Sequence, residues 1–250
     1  MRTLSLLLIV GAAYAQSSAP SPPSTPIAFE VASVKPNTSG SARSDWDRDP
    51  SGRVTRINVT LRHLIRDAYG VIDSQIAGGP AWLDVDRFDV IAKPPDGSQA
   101  AQSASMMKAL LAERFRLVTH TERRELPVYE LLRVTPEALG PRLRPRPDCA
   151  GRQPGAGDQS QPPCGGFLFG PNRVTMRGMG IGALASHLST ERFVLDRTGL
   201  SGDVDVDLEW ATEGPSLFTA LQEQLGLRLQ PTRAMVDVLV IDAAQRPSAN

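Results

Sequence analysis

The sequence predicts an α+β fold in two similar halves, each a small mixed or antiparallel sheet with two helices on one face. Three observations lead there. Apolar residues alternate with a period of two in some segments and recur every three to four residues in others. The two patterns come in the same order twice along the 250 residues. Between the two passages lies a Pro/Gly-rich stretch that holds both cysteines of the chain.

The opening MRTLSLLLIVGAAYAQSS has a basic Arg2, an apolar run over 4–13 and the small-x-small triplet Ala13-Tyr14-Ala15. This is the layout of a signal peptide cut after Ala15, so residues 1–15 are expected to be removed. Their apolar run is too short to cross a bilayer as a helix. Gln16, not cysteine, follows the cut, which argues against lipid attachment there. Later apolar runs are all interrupted by charge or proline, so no membrane span is expected after cleavage. The Pro/Ser-rich residues 16–27 cannot bury apolar area and read as a flexible leader.

The first α+β module is expected over 28–135. Phe29–Val34 and Arg53–Val59 read as strands. Thr60 is an N-cap for a helix over Leu61–Tyr69, with Leu61, Leu64, Ile65, Ala68 and Tyr69 on one face. Gly78-Gly79-Pro80 turns the chain into a strand over Arg87–Ala92. Ser105 caps a second helix carrying Met107, Leu110, Leu111 and Phe115. Arg116–Arg123 and Val128–Val134 then read as a hairpin around Glu125-Leu126-Pro127.

The linker is placed at 136–166, with Cys149 and Cys164 joined as a disulfide, the default pairing in an oxidising compartment. No histidine or third cysteine lies nearby to complete a zinc shell. The second module is placed at 167–243 and a tail at 244–250. Its NRVTMRGMGIGALASHLSTE matches GRVTRINVTLRHLIRDAYGV in order, and TALQEQLGLRL matches KALLAERFRL. Ile181, Leu184, Ala185 and Leu188 form a helical stripe. Asp203–Trp210 alternates strictly, with Val204, Val206, Leu208 and Trp210 on one face. Ser216 starts a helix that Gly226 ends. Met235–Ile241 is apolar on both faces and reads as a central strand.

Chemistry-bearing residues are sparse. The charge balance, 27 basic against 27 acidic residues, argues against a sequence-independent nucleic-acid binder. The three histidines are His63, His120 and His187. His120 with Glu122 resembles a general-base pair, yet alternation with Val118 also puts His120, Glu122 and Arg124 on the wet face of a strand. Asp203, Asp205, Asp207 and Glu209 form an acidic comb, but carboxylates in a line about 6.5–7 Å apart do not converge on calcium. Asp196 opens a turn through 199, and Asp84-Val85-Asp86 makes another. GFLFGPN lacks the Lys-Ser/Thr of a phosphate loop and reads as a turn. Trp82 is expected to pin a loop to the core. No G-x-S-x-G elbow or H-E-x-x-H pair occurs. No catalytic residue, cofactor site or metal site is assigned.

The segments FEVASVKPN, AGGPAWLDVDRFDVIAK, LLAERFRLVTHTERRELPVYEL, LDRTGLSGDVDVDLEW and PSLFTALQEQLGLRLQPTRAMVDVLVIDAAQRPSAN resemble a soil-associated family of uncharacterised exported proteins, expanded in acidobacteria. The resemblance implies one domain of unknown function and supplies no catalytic residues. The second half also resembles, at the level of element pattern, the short N-terminal domain of secretins and TonB-dependent receptors. Together these readings lead to an extracytoplasmic, non-catalytic binding or protein-interaction module, its partner an unknown protein or envelope component. The rivals are a secreted hydrolase using His120, Glu122 and Asp196, and an envelope signal-sensing domain.

Overall fold

The structure, a computed structural model, describes residues 27–49, 51–99, 102–146, 162–211 and 213–248. In chain order the first half contains β1 (Val31–Pro36), β2 (Asp45–Arg48), β3 (Val54–Thr60), α1 (Leu61–Tyr69), β4 (Ile76–Gly78), β5 (Arg87–Lys93), α2 (Ser103–Arg114) and β6 (Val118–Arg133). The second contains β7 (Leu143–Pro145), β8 (Gly166–Gly170), β9 (Arg173–Gly180), α3 (Ile181–Leu188), β10 (Val194–Asp196), β11 (Asp203–Glu209), α4 (Leu217–Ala220) and β12 (Leu227–Ala243). A π-helical turn, Leu221–Leu225, extends α4. These strands form three four-stranded sheets: β1-β5-β3-β2, β10-β6-β12-β4 and β7-β11-β9-β8.

The expectation of two repeated modules, each a sheet with two helices on one face, is therefore wrong. Among the described residues strand outweighs helix, 43% against 23%, the four α-helices are short, and there are three sheets. The reason lies in the expected hairpin at Glu125-Leu126-Pro127, which does not turn. β6 runs straight through Pro127 and pairs antiparallel with β12 along its whole length, Arg133 opposite Leu227 and Thr119 opposite Ile241. Proline is tolerated where its missing N–H costs no ladder bond. Tyr129 N–H donates to Phe193 on the β10 side, at 2.9 Å. Pro127, two residues earlier, therefore turns its nitrogen the same way, past the start of β10. Pro231, opposite Tyr129, likewise faces away from β6.

The long pair carries each half into the other. β4 pairs parallel with β12, Ile76 opposite Leu239, and β10 pairs parallel with β6, Val194 opposite Tyr129. The first core gathers Leu64, Ile65, Phe88, Leu111 and Phe115 together with Leu239 and Ile241 of β12. The second gathers Val174, Leu184, Val206, Leu208 and Leu221 together with Leu131 of β6. Burying each such side chain stabilises by roughly 1.5–3 kcal/mol. Neither core is complete without a strand from the opposite half. Residues 143–145, inside the stretch read as linker, form an edge strand of the third sheet.

Local signals set the helix ends. Thr60 accepts from His63 N–H at the start of α1, and Gly70, at φ 65°, closes it. Ser216 accepts from Thr219 N–H at the start of α4, and Gly226, at φ 67°, ends the π turn.

The two outer sheets share one more device. A bulge breaks the β3–β5 register between Arg56 and Val59, and another breaks β9–β11 between Val204 and Val206. At the first, buried Asn58 takes φ 57°, and its N–H donates to Asp89 at 2.9 Å. At the second, Gly178 takes φ 58°, and its N–H donates to Asp205 at 2.9 Å. A left-handed residue held by a carboxylate on the neighbouring strand bends each sheet just before its helix.

Candidate functional site

His120 is the best-connected predicted residue. Its Nδ1 lies 2.8 Å from Asp242 Oδ1, and its Nε2 lies 3.0 Å from Glu122 Oε1. Glu122 also accepts from Arg124 at 2.8 Å. The hydrogen bonds to Asp242 and then Glu122 hold the imidazole above the usual histidine pKa. Those to His120 and Arg124 hold Glu122 below the usual carboxylate range. The cluster is an exposed chain of charges. Both ring nitrogens are occupied from opposite sides, so neither is free for substrate and the carboxylates do not converge. Asp196 stands elsewhere. It pairs with Leu131, eleven residues along β6 from His120, which is about 36 Å of strand. Its carboxylate accepts from Thr198 N–H at 2.9 Å, the local turn that its spacing predicts. The hydrolase set His120, Glu122 and Asp196 is not brought together.

The acidic comb is carried on β11 as expected, but its outer face is not bare. Asp205 meets Arg146, Asp207 meets Arg177 at 2.7 Å, and Glu209 lies 3.2 Å from Arg142 and 3.4 Å from Arg173. The arginines come from β9 and from the segment around β7, so a cross-strand charge lattice replaces any cation cage. Among the described residues no group of three or more His, Cys, Asp or Glu side chains is placed to hold a metal ion. Asp84 meets Arg62, and Asp86 meets Arg246.

Trp82 packs against the first core, edge-on to Phe88 at 6.3 Å, with the Arg246 guanidinium over its ring. His63 meets the edge of Trp46. Residue Ala15 and Cys149 lie outside the described residues, and no described cysteine is a free thiol. No described helix is long and apolar enough to cross a membrane.

Two open clefts of about 360 and 400 Å³ flank Arg246, where the chain after β12 runs past the end of α2 and the start of β5. One is lined by Arg114, Arg116 and Glu113, the other by Val85 and Phe88. Arg246 is already paired with Asp86 at 2.6 Å, and Arg114 lies 3.3 Å from Glu113. Gln245 N–H donates to Phe115 at 2.7 Å, so the segment read as a tail is tied to α2's end.

The feature that sequence reasoning missed is β8. The string GFLFG, read as a turn, is a strand at the edge of the third sheet, with no further strand beyond it among the described residues. Phe167, Leu168 and Phe169 are exposed by 51%, 42% and 42%. Phe167 and Phe169 leave apolar surface exposed on one face of this sheet edge and Leu168 on the other. The aromatic β propensity of the run was the available signal. Gly170 pairs with Arg173 across the turn at 171–172. In such a hairpin Gly170 and Leu168 direct their N–H and C=O to β9, and Phe167 and Phe169 direct theirs outward. Phe167 and Phe169 stand opposite buried Met176 and Val174, so their rings continue the core-facing layer beyond the sheet. The Phe169 ring lies flat on His187 of α3, centroids 3.5 Å apart, and partial burial lowers the His187 pKa.

Neither the curated proteins nor the solved structures yield a match to this chain. A family model described as DUF3738, protein of unknown function, matches residues 62–244. The matched span runs from α1 to the end of β12 and includes both long strands, β8 and the charge lattice. With most of its length inside that match, the chain belongs to the DUF3738 family of proteins of unknown function.

Proposed function

We propose that the protein is exported, is cut after Ala15, and acts outside the cytoplasm as a non-catalytic binding protein of the cell envelope. Its β8 edge takes an extended segment of a partner protein as an added strand. The observation that carries this reading is the open, uncharged edge of β8, with exposed Phe167, Leu168 and Phe169 and outward main-chain groups. Strand addition draws affinity from such groups and selectivity from alternate side-chain positions. The partner strand would set apolar side chains beside Phe167 and Phe169 on the α3 side. In this reading Cys149 and Cys164 join as a disulfide and tether the chain just before β8. The dispersal of His120 and Asp196 to distant points also favours binding over hydrolysis.

The test uses the purified mature chain and a short labelled peptide alternating phenylalanine with threonine. Saturable fluorescence anisotropy is expected. Phe169→Pro should abolish it, because the outward N–H is removed, whereas Phe169→Ala, which loses the same ring from His187 but keeps that N–H, should still bind, more weakly. An absence of binding by the unaltered chain defeats the strand-addition reading. Mass spectrometry of cell fractions tests export: a species beginning at Gln16 is expected outside the cytoplasm, and an uncut cytoplasmic chain refutes it.

A further inference from the structure

Resting on that strand-addition reading, we infer that the segment taken up by β8 is the β8 of a second copy, pairing antiparallel about a two-fold axis at Leu168. The sequence Gly166-Phe167-Leu168-Phe169-Gly170 reads the same in both directions. Antiparallel pairing of two such strands, centred on Leu168, sets Phe167 opposite Phe169 of the second copy and Gly166 opposite its Gly170. A two-fold interface must be self-complementary in this way. The main chain agrees with the register. The outward N–H and C=O groups belong to Phe167 and Phe169, so these two positions meet as hydrogen-bonded pairs. Leu168 then faces Leu168 of the second copy as the close, non-hydrogen-bonded pair on the axis.

The side chains fit as well. Four phenylalanine rings gather on the face that α3 covers, where Phe167 and Phe169 already lie 4.4 Å apart in one copy. The terminal glycines place no side chain against each other. No charge lies within β8 to repel its twin. The matching edge of the first sheet makes the contrast, since β2 carries Asp45 and Asp47. Charges on an edge strand block edge-to-edge pairing, and β8 has no such protection. Five residues on each side make a small interface, so the dimer should be a weak and reversible one.

Sedimentation velocity on the mature chain reads the result. The unaltered chain should shift reversibly from monomer to dimer as its concentration rises. Leu168→Lys and Leu168→Glu should each remain monomeric, because each sets like charges against each other on the axis. An equal mixture of the two should recover the dimer, as only a register placing 168 against 168 allows. A monomer at every concentration, or a dimer that tolerates Leu168→Lys, overturns the inference. If the unaltered chain stays monomeric while the phenylalanine–threonine peptide still binds and Phe169→Pro abolishes that binding, self-pairing falls and strand addition stands. If neither occurs, both fall.

Discussion

Replacing Asn58 by alanine tests the bulge that bends the first sheet. Asn58 is 2% exposed and holds φ at 57°. Its Nδ2 donates to the carbonyls of Ser41 and Arg43, at 2.6 and 2.9 Å, pinning the 37–44 loop to β3. Removing two such bonds costs about 1 kcal/mol each. Alanine tolerates a left-handed backbone less well than asparagine, adding roughly 1 kcal/mol. Asn58→Ala should therefore destabilise by about 3 kcal/mol, lowering the melting temperature by roughly 6–12 °C for a chain of this size. Asn58→Gly loses the same bonds but accepts the φ freely, so it should cost about 2 kcal/mol. Urea titration of the three chains measures both values. A loss below about 0.5 kcal/mol for alanine, or glycine no better than alanine, refutes the account of the bulge.

Gly140 offers a harder test, because an added Cβ would lie 2.4 Å from Gln224 O and 2.5 Å from Leu225 C, both backbone. Gly140→Ala should shift that loop off the π turn and destabilise by about 3 kcal/mol, read by urea titration. His120 should titrate above the ordinary histidine range in NMR, with Asp242→Asn moving its pKa down more than Glu122→Gln. Its folded pKa is raised, so its contribution is full below the unfolded pKa and fades as pH rises through the folded value. His187 has the opposite sign: its pKa is lowered, so stability falls as pH drops below the unfolded value. His120→Gln should thus cost stability only at acid pH, and His187→Gln should flatten the acid loss. Either slope reversed would contradict the environments described.

The parts of this architecture written in neighbouring residues could be read from them. Thr60 and the Leu61, Leu64, Ile65, Ala68 stripe gave α1 its bounds, and the alternation of 203–209 gave β11 its buried and exposed faces. Gly226 closed its helix because only a left-handed residue does so without strain. What escaped depends on partners distant in the chain. Pro127 signals a turn locally and sits in a strand because its nitrogen faces the unpaired side of β6, a fact that belongs to β10 and β12. Arg142, Arg173 and Arg177 are far in sequence from Asp207 and Glu209, and only β9 and the β7 segment bring them across from those carboxylates. Asp242 gave no hint that it would meet His120, since the two are 122 residues apart. β8 was missed because glycines at both ends suggested a turn, and its meaning depends on lying at an open edge.

The exchange of strands between the halves also sets the order in which the molecule can become whole. Ile76–Gly78 has no place to pair until Leu239–Ile241 arrives, although the paired residues lie 163 positions apart (239 − 76). Contacts of such separation slow folding, because the loop must close before the reward comes. An N-terminal fragment ending before β12 should keep its short strand unpaired and its core open, whatever its own helices do. Completion waits for the last strand to arrive.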